Sequence, residues 1–264
     1  MALLDETAKI ISNTCVGPRL WVVTLKAPQI AGAVLPAQFV HMRIPGMDDH
    51  ILRRPFSIYA ADAAAGTVDI LYQVVGFGSD HLTTLQPGAT CQMIGPVGTP
   101  WSVPEGARKV LIVGGGVGAA PVFMLTQQAK AAGLDVSVVL GAATKDALVT
   151  LDRYTQLLGT EPAVSTDDGT YGRPGFATSL VQEALHGACE AGQPFQYVAV
   201  CGPQPLMKIV AGVAADAGVY CQVSMERRMA CGVGACLSCV VDTVNGKKRA
   251  CVDGPVFDAQ EVCW

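Results

Sequence analysis

The sequence predicts a multidomain chain of β plus α/β class, with an antiparallel β-barrel over residues 1–104, a parallel α/β domain over 105–218 and a small cysteine-rich unit over 219–264. Three observations predict it. The first hundred residues carry short runs of β-branched and aromatic side chains separated by Pro and Gly, with no long amphipathic helix. After Gly106, strand-like and helix-like runs alternate, which is the pattern of a parallel sheet with helices on both faces. Four cysteines then crowd into residues 231–251.

In the first part, strands are expected over 20–26, 38–44, 56–60 and 67–75, with one short helix near 79–85. Their spacing suits an antiparallel barrel or sandwich. In the second part, strands are expected at 109–113, 136–141, 163–166 and 197–201, and helices at 118–132, 145–158, 174–189 and 205–217. Ligands on such sheets bind at the carboxyl ends of the strands. The Gly-rich turn after Val113 and the turn Cys201-Gly202-Pro203 both fall there. From Val219 onward the chain is rich in Gly and Cys and poor in helix signals.

Half of the residues are hydrophobic and 15% are charged, a balance that excludes a disordered chain. A net charge of −4 argues against a nucleic-acid partner, which needs a cationic face. The most membrane-like stretch, 110–126, is shorter than the roughly 20 residues a span requires, and Gly114, Gly115, Gly116, Gly118 and Pro121 interrupt it. No membrane association is expected. The first residues lack the basic and then apolar order of a secretory signal, so the expected location is cytoplasmic, where thiols stay reduced. Ten cysteines then point to metal or redox chemistry rather than to disulfides.

Their spacing is specific. Cys231-x4-Cys236-x2-Cys239-x11-Cys251 has the C-x4-C-x2-C…C form of a plant-type [2Fe–2S] cluster held by four thiolates. Ligands so close in sequence require sharp turns, which Gly232 and Gly234 permit, and the missing side chains let backbone N–H groups approach sulfur. A structural zinc site usually pairs two short hooks, whereas here the fourth cysteine stands alone. Cys15, Cys91, Cys189, Cys201, Cys221 and Cys263 are scattered.

Two further segments carry chemistry. The run from Leu52 through Arg53, Arg54, Pro55, Phe56 and Ser57 to Ile58 offers a cation for a diphosphate, a ring for stacking and a hydroxyl for a hydrogen bond, though alone it reads equally as a strand with exposed arginines. The turn holding Gly114, Gly115, Gly116 and Gly118 brings backbone N–H groups to a phosphate, although its spacing departs from G-x-G-x-x-G. Cys201 by itself reads as a small packing residue before a turn. His41, His50, His81 and His186 show no metal or catalytic spacing, and no G-x-S-x-G elbow is present.

Barrel, nucleotide-binding domain and iron–sulfur tail in this order resemble the ferredoxin–NADP reductase superfamily. The strings SMERRMACGVGAC over 224–236, CVDGPVF over 251–257, RRPFSI over 53–58 and TDDGTYG over 166–172 are similar to those of the electron-transfer subunits of type B dihydroorotate dehydrogenases. That resemblance covers essentially the whole chain. It implies FAD in the barrel, NAD on the α/β domain and one [2Fe–2S] cluster in the tail. It also implies a separate FMN-containing catalytic subunit that oxidises dihydroorotate to orotate in pyrimidine biosynthesis, in a two-plus-two heterotetramer. Electrons would pass from that FMN through the cluster and FAD to NAD+.

By motif match, Arg54, Pro55, Phe56 and Ser57 would contact FAD, with Arg54 on the diphosphate and Ser57 near the reactive edge of the flavin. Leu71, Tyr72 and Gln73 match the next flavin strand, and Gly78 and Ser79 match the diphosphate turn. Gln73 and Gly78-Ser79 stand where relatives often have Lys or Arg and Gly-Thr. Gly114, Gly115, Gly116, Gly118, Gly202 and Pro203 would hold NAD, with Cys201 positioning the nicotinamide. The rival within the superfamily is an FAD/[2Fe–2S] subunit of another NAD(P)H complex, such as a sulfhydrogenase or a ferredoxin-dependent transhydrogenase. A rival of a different class is a zinc-stabilised binding module.

Overall fold

The structure, a computed structural model, describes residues 3–47 and 49–264. The N-terminal unit comprises β1 (Leu4–Gly17), β2 (Leu20–Lys26), α1 (Pro28–Ala33), β3 (Phe39–Arg43), β4 (Arg54–Ser57), β5 (Ala60–Asp62), β6 (Thr67–Gln73), α2 (Phe77–Thr83) and β7 (Thr90–Val97). Its strands form one antiparallel sheet in the order β4-β3-β7-β1-β2-β6-β5. The sheet curls until β4 meets β6, where Phe56 packs edge-on against Tyr72 with ring centroids 5.9 Å apart. Strand alternation sets the core, with Val23, Leu25, Val40, Met42, Val68, Ile70 and Met93 all turned inward.

β1 and β7 are not among the strands expected from sequence. The first residues of β1 alternate between exposed and buried, so its sequence LDETAKIISNTCVG is largely polar and contains no long apolar run. The strand expected over 56–60 divides into β4 and β5, and the short helix begins two residues earlier than expected.

The middle unit comprises β8 (Lys109–Gly115), α3 (Phe123–Ala131), β9 (Asp135–Ala142), α4 (Leu151–Leu158), β10 (Ala163–Thr166), β11 (Arg173–Pro174), α5 (Ala177–Glu190), β12 (Tyr197–Cys201), α6 (Gln204–Asp216) and β13 (Tyr220–Ser224). The tail adds the hairpin β14 (Val240–Thr243) and β15 (Gly246–Arg249), and then β16 (Val256–Asp258). The second sheet runs β11-β10-β9-β8-β12-β13-β16, parallel except for β16. The chain reverses direction across the sheet between β8 and β12, which creates a crevice at their carboxyl ends.

Three helices differ from expectation. The one expected over 145–158 begins only at Leu151, after a 3₁₀ turn at Lys145–Ala147. The stretch expected as a helix over 118–132 opens with a 3₁₀ turn, Gly116–Ala119, before α3 begins. The one expected over 174–189 starts at Ala177, because Pro174 lies in β11. β13 continues the parallel sheet past residue 218, where the sequence suggests a division, and β16 returns from the tail to pair with it.

The three units share their cores. Phe39 and Val97 of the barrel, Val200 and Val223 of the second sheet, and Cys239, Val241 and Cys251 of the tail lie in one buried cluster. Tyr59 and Leu71 of the barrel pack with Trp101, Ile112 and Phe123 in another. The Trp101 indole N–H donates to the Pro121 carbonyl at 3.1 Å, and the Thr99 N–H donates to the Gly254 carbonyl at 2.6 Å. Among the described residues, no helix is long and apolar enough to cross a membrane.

Candidate functional site

β4 alternates, placing Arg54 and Phe56 on one face and Pro55 and Ser57 on the other. Its partner β3 sets Phe39 opposite Ser57, Val40 opposite Phe56, His41 opposite Pro55 and Met42 opposite Arg54. The Arg54 guanidinium crosses the start of α2, where a Cβ on Gly78 would sit 2.8 Å from its Nε. Gly78 is therefore the residue that admits Arg54. The Ser79 hydroxyl accepts the N–H groups of Val75 at 2.9 Å and Gly76 at 3.1 Å, and donates to the Gly76 carbonyl at 3.0 Å. It closes the turn, so that the first N–H groups of α2 lie beside a cation. That combination suits a diphosphate.

The next strand presents main chain rather than side chains. Leu71 is buried in the joint with the α/β unit. Tyr72 lies inside the barrel with its hydroxyl donating to Asn13 Oδ1 at 3.0 Å. Only the Gln73 side chain is exposed. β5 pairs with β6 no further than Asp69. The Tyr59 N–H donates to the Asp69 carbonyl, whereas the Val74 N–H turns the other way, to Arg19. By alternation, the backbone groups of Leu71 and Gln73 point to the edge that β5 leaves open. This edge stands beside Arg54 and Phe56, and together they can hold a flavin ring and its diphosphate.

Across the molecule, Gly114 and Cys201 pair at the ends of β8 and β12. A Cβ on Gly118 would meet the Cys201 carbonyl oxygen at 2.6 Å. One on Gly115 would meet Pro203 Cδ at 3.0 Å, and one on Gly202 would meet Gly115 Cα at 3.0 Å. The two turns pack main chain on main chain and form a single crevice. Gly116 differs, with open space around it and a φ of +55° that favours glycine. The Cys201 thiol contacts the Ser224 carbonyl at 3.7 Å, and burial pushes it up to about 12. It is a small, neutral wall of the crevice and not a thiolate.

The cysteine loop lies between β13 and β14 and turns at Gly232 and Gly234, with φ of +68° and +82°. The Val233 N–H donates to Cys231 Sγ at 3.4 Å. Burial raises the Cys231 thiol, but the N–H groups of Val233, Cys236 and Ala235, with the Cys236 thiol, together hold it down to about 6. Burial and the neighbouring Cys239 push Cys251 up. The Cys231 thiol thus lies beside Cys236, and the Cys251 thiol beside Cys239.

Among the described residues, no three His, Cys, Asp or Glu side chains gather as they would around a single ion. Two such pairs suit a two-iron group, in which each iron takes two thiolates. The loop is braced by Arg249, which pairs with Asp253 at 3.1 Å and donates to the Gly234 carbonyl at 3.1 Å. The Ala250 N–H donates to the Cys239 carbonyl at 2.9 Å.

Three features escape a reading of the sequence. Arg249 and Asp253 are ordinary surface residues by type. Arg153 ion-pairs with Asp69 at 3.0 Å and lies over the rings of Tyr59 and Phe123 at 4.5 and 5.0 Å, fastening the barrel to the α/β unit. His41 is fully buried against Gly232 with both ring nitrogens unpartnered. Burial, with Arg53 and Arg54 nearby, pushes it down to about 4. Arg153 and His41 meet partners from distant segments, and Arg249, though paired with Asp253 only four residues on, reaches back to Gly234.

Family models match the chain in three consecutive stretches. Residues 4–101 match an oxidoreductase FAD-binding domain, 112–212 an oxidoreductase NAD-binding domain, and 226–263 the iron–sulfur cluster binding domain of dihydroorotate dehydrogenase B. The chain is 36% identical to the electron transfer subunit of dihydroorotate dehydrogenase B (NAD(+)) of Desulforamulus reducens, covering 97% of both chains. It is also 36% identical to that of Geobacillus thermodenitrificans, over 97% of this chain and 98% of the relative. Among solved structures, an NADH-dependent reduced ferredoxin–NADP oxidoreductase, studied for flavin-based electron bifurcation, superposes with a TM-score of 0.85 at 30% identity, over 97% of this chain and 90% of that one. Phthalate dioxygenase reductase, at 18% identity and a TM-score of 0.64, shares the fold.

Proposed function

The chain belongs to the electron-transfer subunits of dihydroorotate dehydrogenase B, and from that premise we propose how its residues divide the work. It is an NAD-linked flavin and iron–sulfur oxidoreductase subunit with FAD, NAD and a [2Fe–2S] cluster as cofactors, acting with a catalytic partner subunit. Bound FAD supplies the exchange between a two-electron nicotinamide and a one-electron cluster.

Arg54 anchors the FAD diphosphate with the N–H groups at the start of α2, where Gly78 makes room and Ser79 holds the turn. Pro55, Phe56 and Ser57 line the flavin along β4, and the backbone groups of Leu71 and Gln73 meet it along β6, with the Tyr72 ring supporting Phe56 from inside the barrel. The turn of Gly114, Gly115, Gly116 and Gly118, with Gly202 and Pro203, receives NAD. Cys231, Cys236, Cys239 and Cys251 hold the cluster. The residues from Lys109 to Ser224, one strand past the expected division at 218, act as the nucleotide unit.

One observation carries this reading. The cysteine loop touches β3 at His41, and β3 is the immediate neighbour of β4. A single strand separates the cluster loop from the flavin edge, so electrons need no long path. Val233, Leu237 and Val252 stand exposed around the loop, and we place the partner there. That partner carries FMN and oxidises dihydroorotate, two copies of each chain assemble, and electrons reach NAD+ through the cluster and FAD. Ten unpaired thiols fit a reducing cytoplasm.

Co-purification of the untagged partner and an assay of dihydroorotate-driven NAD reduction test the proposal. The expected result is an FMN protein and a rate that requires both chains. A hydrogenase partner, or a partner that couples NADH to ferredoxin and NADP, would overturn it.

Cys201 supplies a separate expectation. A small neutral wall lets the nicotinamide approach the flavin to near-attack distance, roughly 3–3.5 Å between reacting atoms. Cys201→Ala is expected to change stopped-flow reduction of bound FAD by NADH only modestly, because no thiolate is lost. Cys201→Leu is expected to slow it severely while flavin and iron contents hold. Equal rates in both variants would remove Cys201 from the site and leave it a packing residue.

A further inference from the structure

We propose that His41 is a positioning residue for the iron–sulfur group, its ring N–H donating to a sulfur of the cluster that the four cysteines hold and raising the potential at which that cluster is reduced. The inference rests on the cluster assignment made above.

The geometry behind it begins with β3. Alternation turns Val40 and Met42 into the barrel, while Phe39 packs into the core that the barrel shares with the tail. His41, between Val40 and Met42, takes the same outward face as Phe39 and meets the cysteine loop. A Cβ on Gly232 would sit 2.8 Å from both Cγ and Nδ1 of the ring, so Gly232 lacks a side chain where the imidazole needs the space. Gly232 follows Cys231, the thiol toward which the loop's N–H groups are turned.

The ring is 0% exposed. Neither of its nitrogens has a partner, and the only other buried side-chain polar atoms without one among the described residues are the Tyr59 hydroxyl and Ser165 Oγ. An unpaired buried donor is destabilising, and an apolar residue at position 41 would avoid that. An imidazole buried in this way brings at least one N–H that needs an acceptor. The charged groups facing it, Arg53 and Arg54, are donors and cannot accept its proton. Beyond Gly232 stands the acceptor-rich sulfur of the cluster loop, and hydrogen bonds to cluster sulfur are among the factors that set its potential.

The test uses the flavin- and cluster-loaded chain. With 15N-labelled histidine, pulsed EPR of the reduced cluster is expected to show coupling to one histidine nitrogen, and that coupling should vanish in His41→Phe. The cluster's one-electron equilibrium should shift at least tenfold toward the oxidised form in His41→Phe, about 59 mV, while the FAD potential holds. His41→Asn, whose amide overlays Nδ1, should recover part of the shift. The labelling experiment needs no variant, so poor loading of His41→Phe leaves it decisive. An iron-loaded wild-type chain without histidine coupling overturns the proposal, as does a potential shift confined to FAD. A wild-type chain that binds no iron defeats the cluster assignment itself.

Discussion

Replacement of Cys251 with Ser is expected to abolish the cluster while leaving the rest of the protein at work. Cys251 is the ligand farthest along the chain from the other three, and it pairs with Cys239 inside the core shared by all three units. A serine hydroxyl fits the space but is a poor soft ligand for iron. Iron and acid-labile sulfide should fall by at least about tenfold, since even changes beyond the ligand shell commonly cost 10–100-fold in metal affinity. FAD content and NADH-linked dye reduction should persist, because the flavin edge and the nucleotide crevice draw no residue from the loop. Dihydroorotate-linked activity of the complex should disappear with the iron. A Cys251→Ser variant that keeps its full cluster would mean that another residue is the fourth ligand, and exposed Cys263 would be tested next, ahead of buried Cys221.

Replacement of Arg54 with Ala should empty the flavin site without disturbing the iron. The diphosphate loses a charge-assisted hydrogen bond worth about 1.5–3 kcal/mol, which corresponds to roughly ten- to a hundredfold weaker FAD retention. Gly78→Ala is the companion variant. It leaves the guanidinium in the chain but drives it from the start of α2, where the added methyl would lie 2.8 Å from Nε. An intermediate loss of flavin is expected. Fluorescence of FAD released after dilution, measured against iron content, distinguishes the cases. Full flavin in Arg54→Ala would show that the diphosphate is anchored elsewhere.

How much of this was legible in the sequence depends on how local each signal is. The cysteine spacing and the alternation of strands and helices are local signals, and the second part keeps the expected order of elements, with the short β11 added. The Gly-rich turn was legible as a turn, but the reason for most of its glycines was not. Gly118 is set by the backbone of residues 201–202 and Gly115 by the side chains of Leu206 and Pro203, which no window of sequence contains. β1 was hidden because one of its faces is wet. Leu71 and Tyr72 were matched as flavin-contacting residues, yet their side chains are committed to two different cores, and only main chain is left for a ligand. His41, paired with Pro55 on one side and Ile94 on the other, looks like any strand residue until the fold brings residue 232 against it.

The pairing of Ser224 with Val256 places the two ends of the segment 225–255 side by side in one sheet. Everything that holds iron is therefore a detour, leaving the sheet after β13 and rejoining it one strand over. The entropy of closing that detour is met by the sheet rather than by the metal. Loss of iron should then melt a lobe whose two ends stay pinned, and hydrogen exchange should accelerate within 226–239 while β13 and β16 remain protected. Because the ends never separate, a stripped chain can be reloaded by iron and sulfide without refolding from scratch.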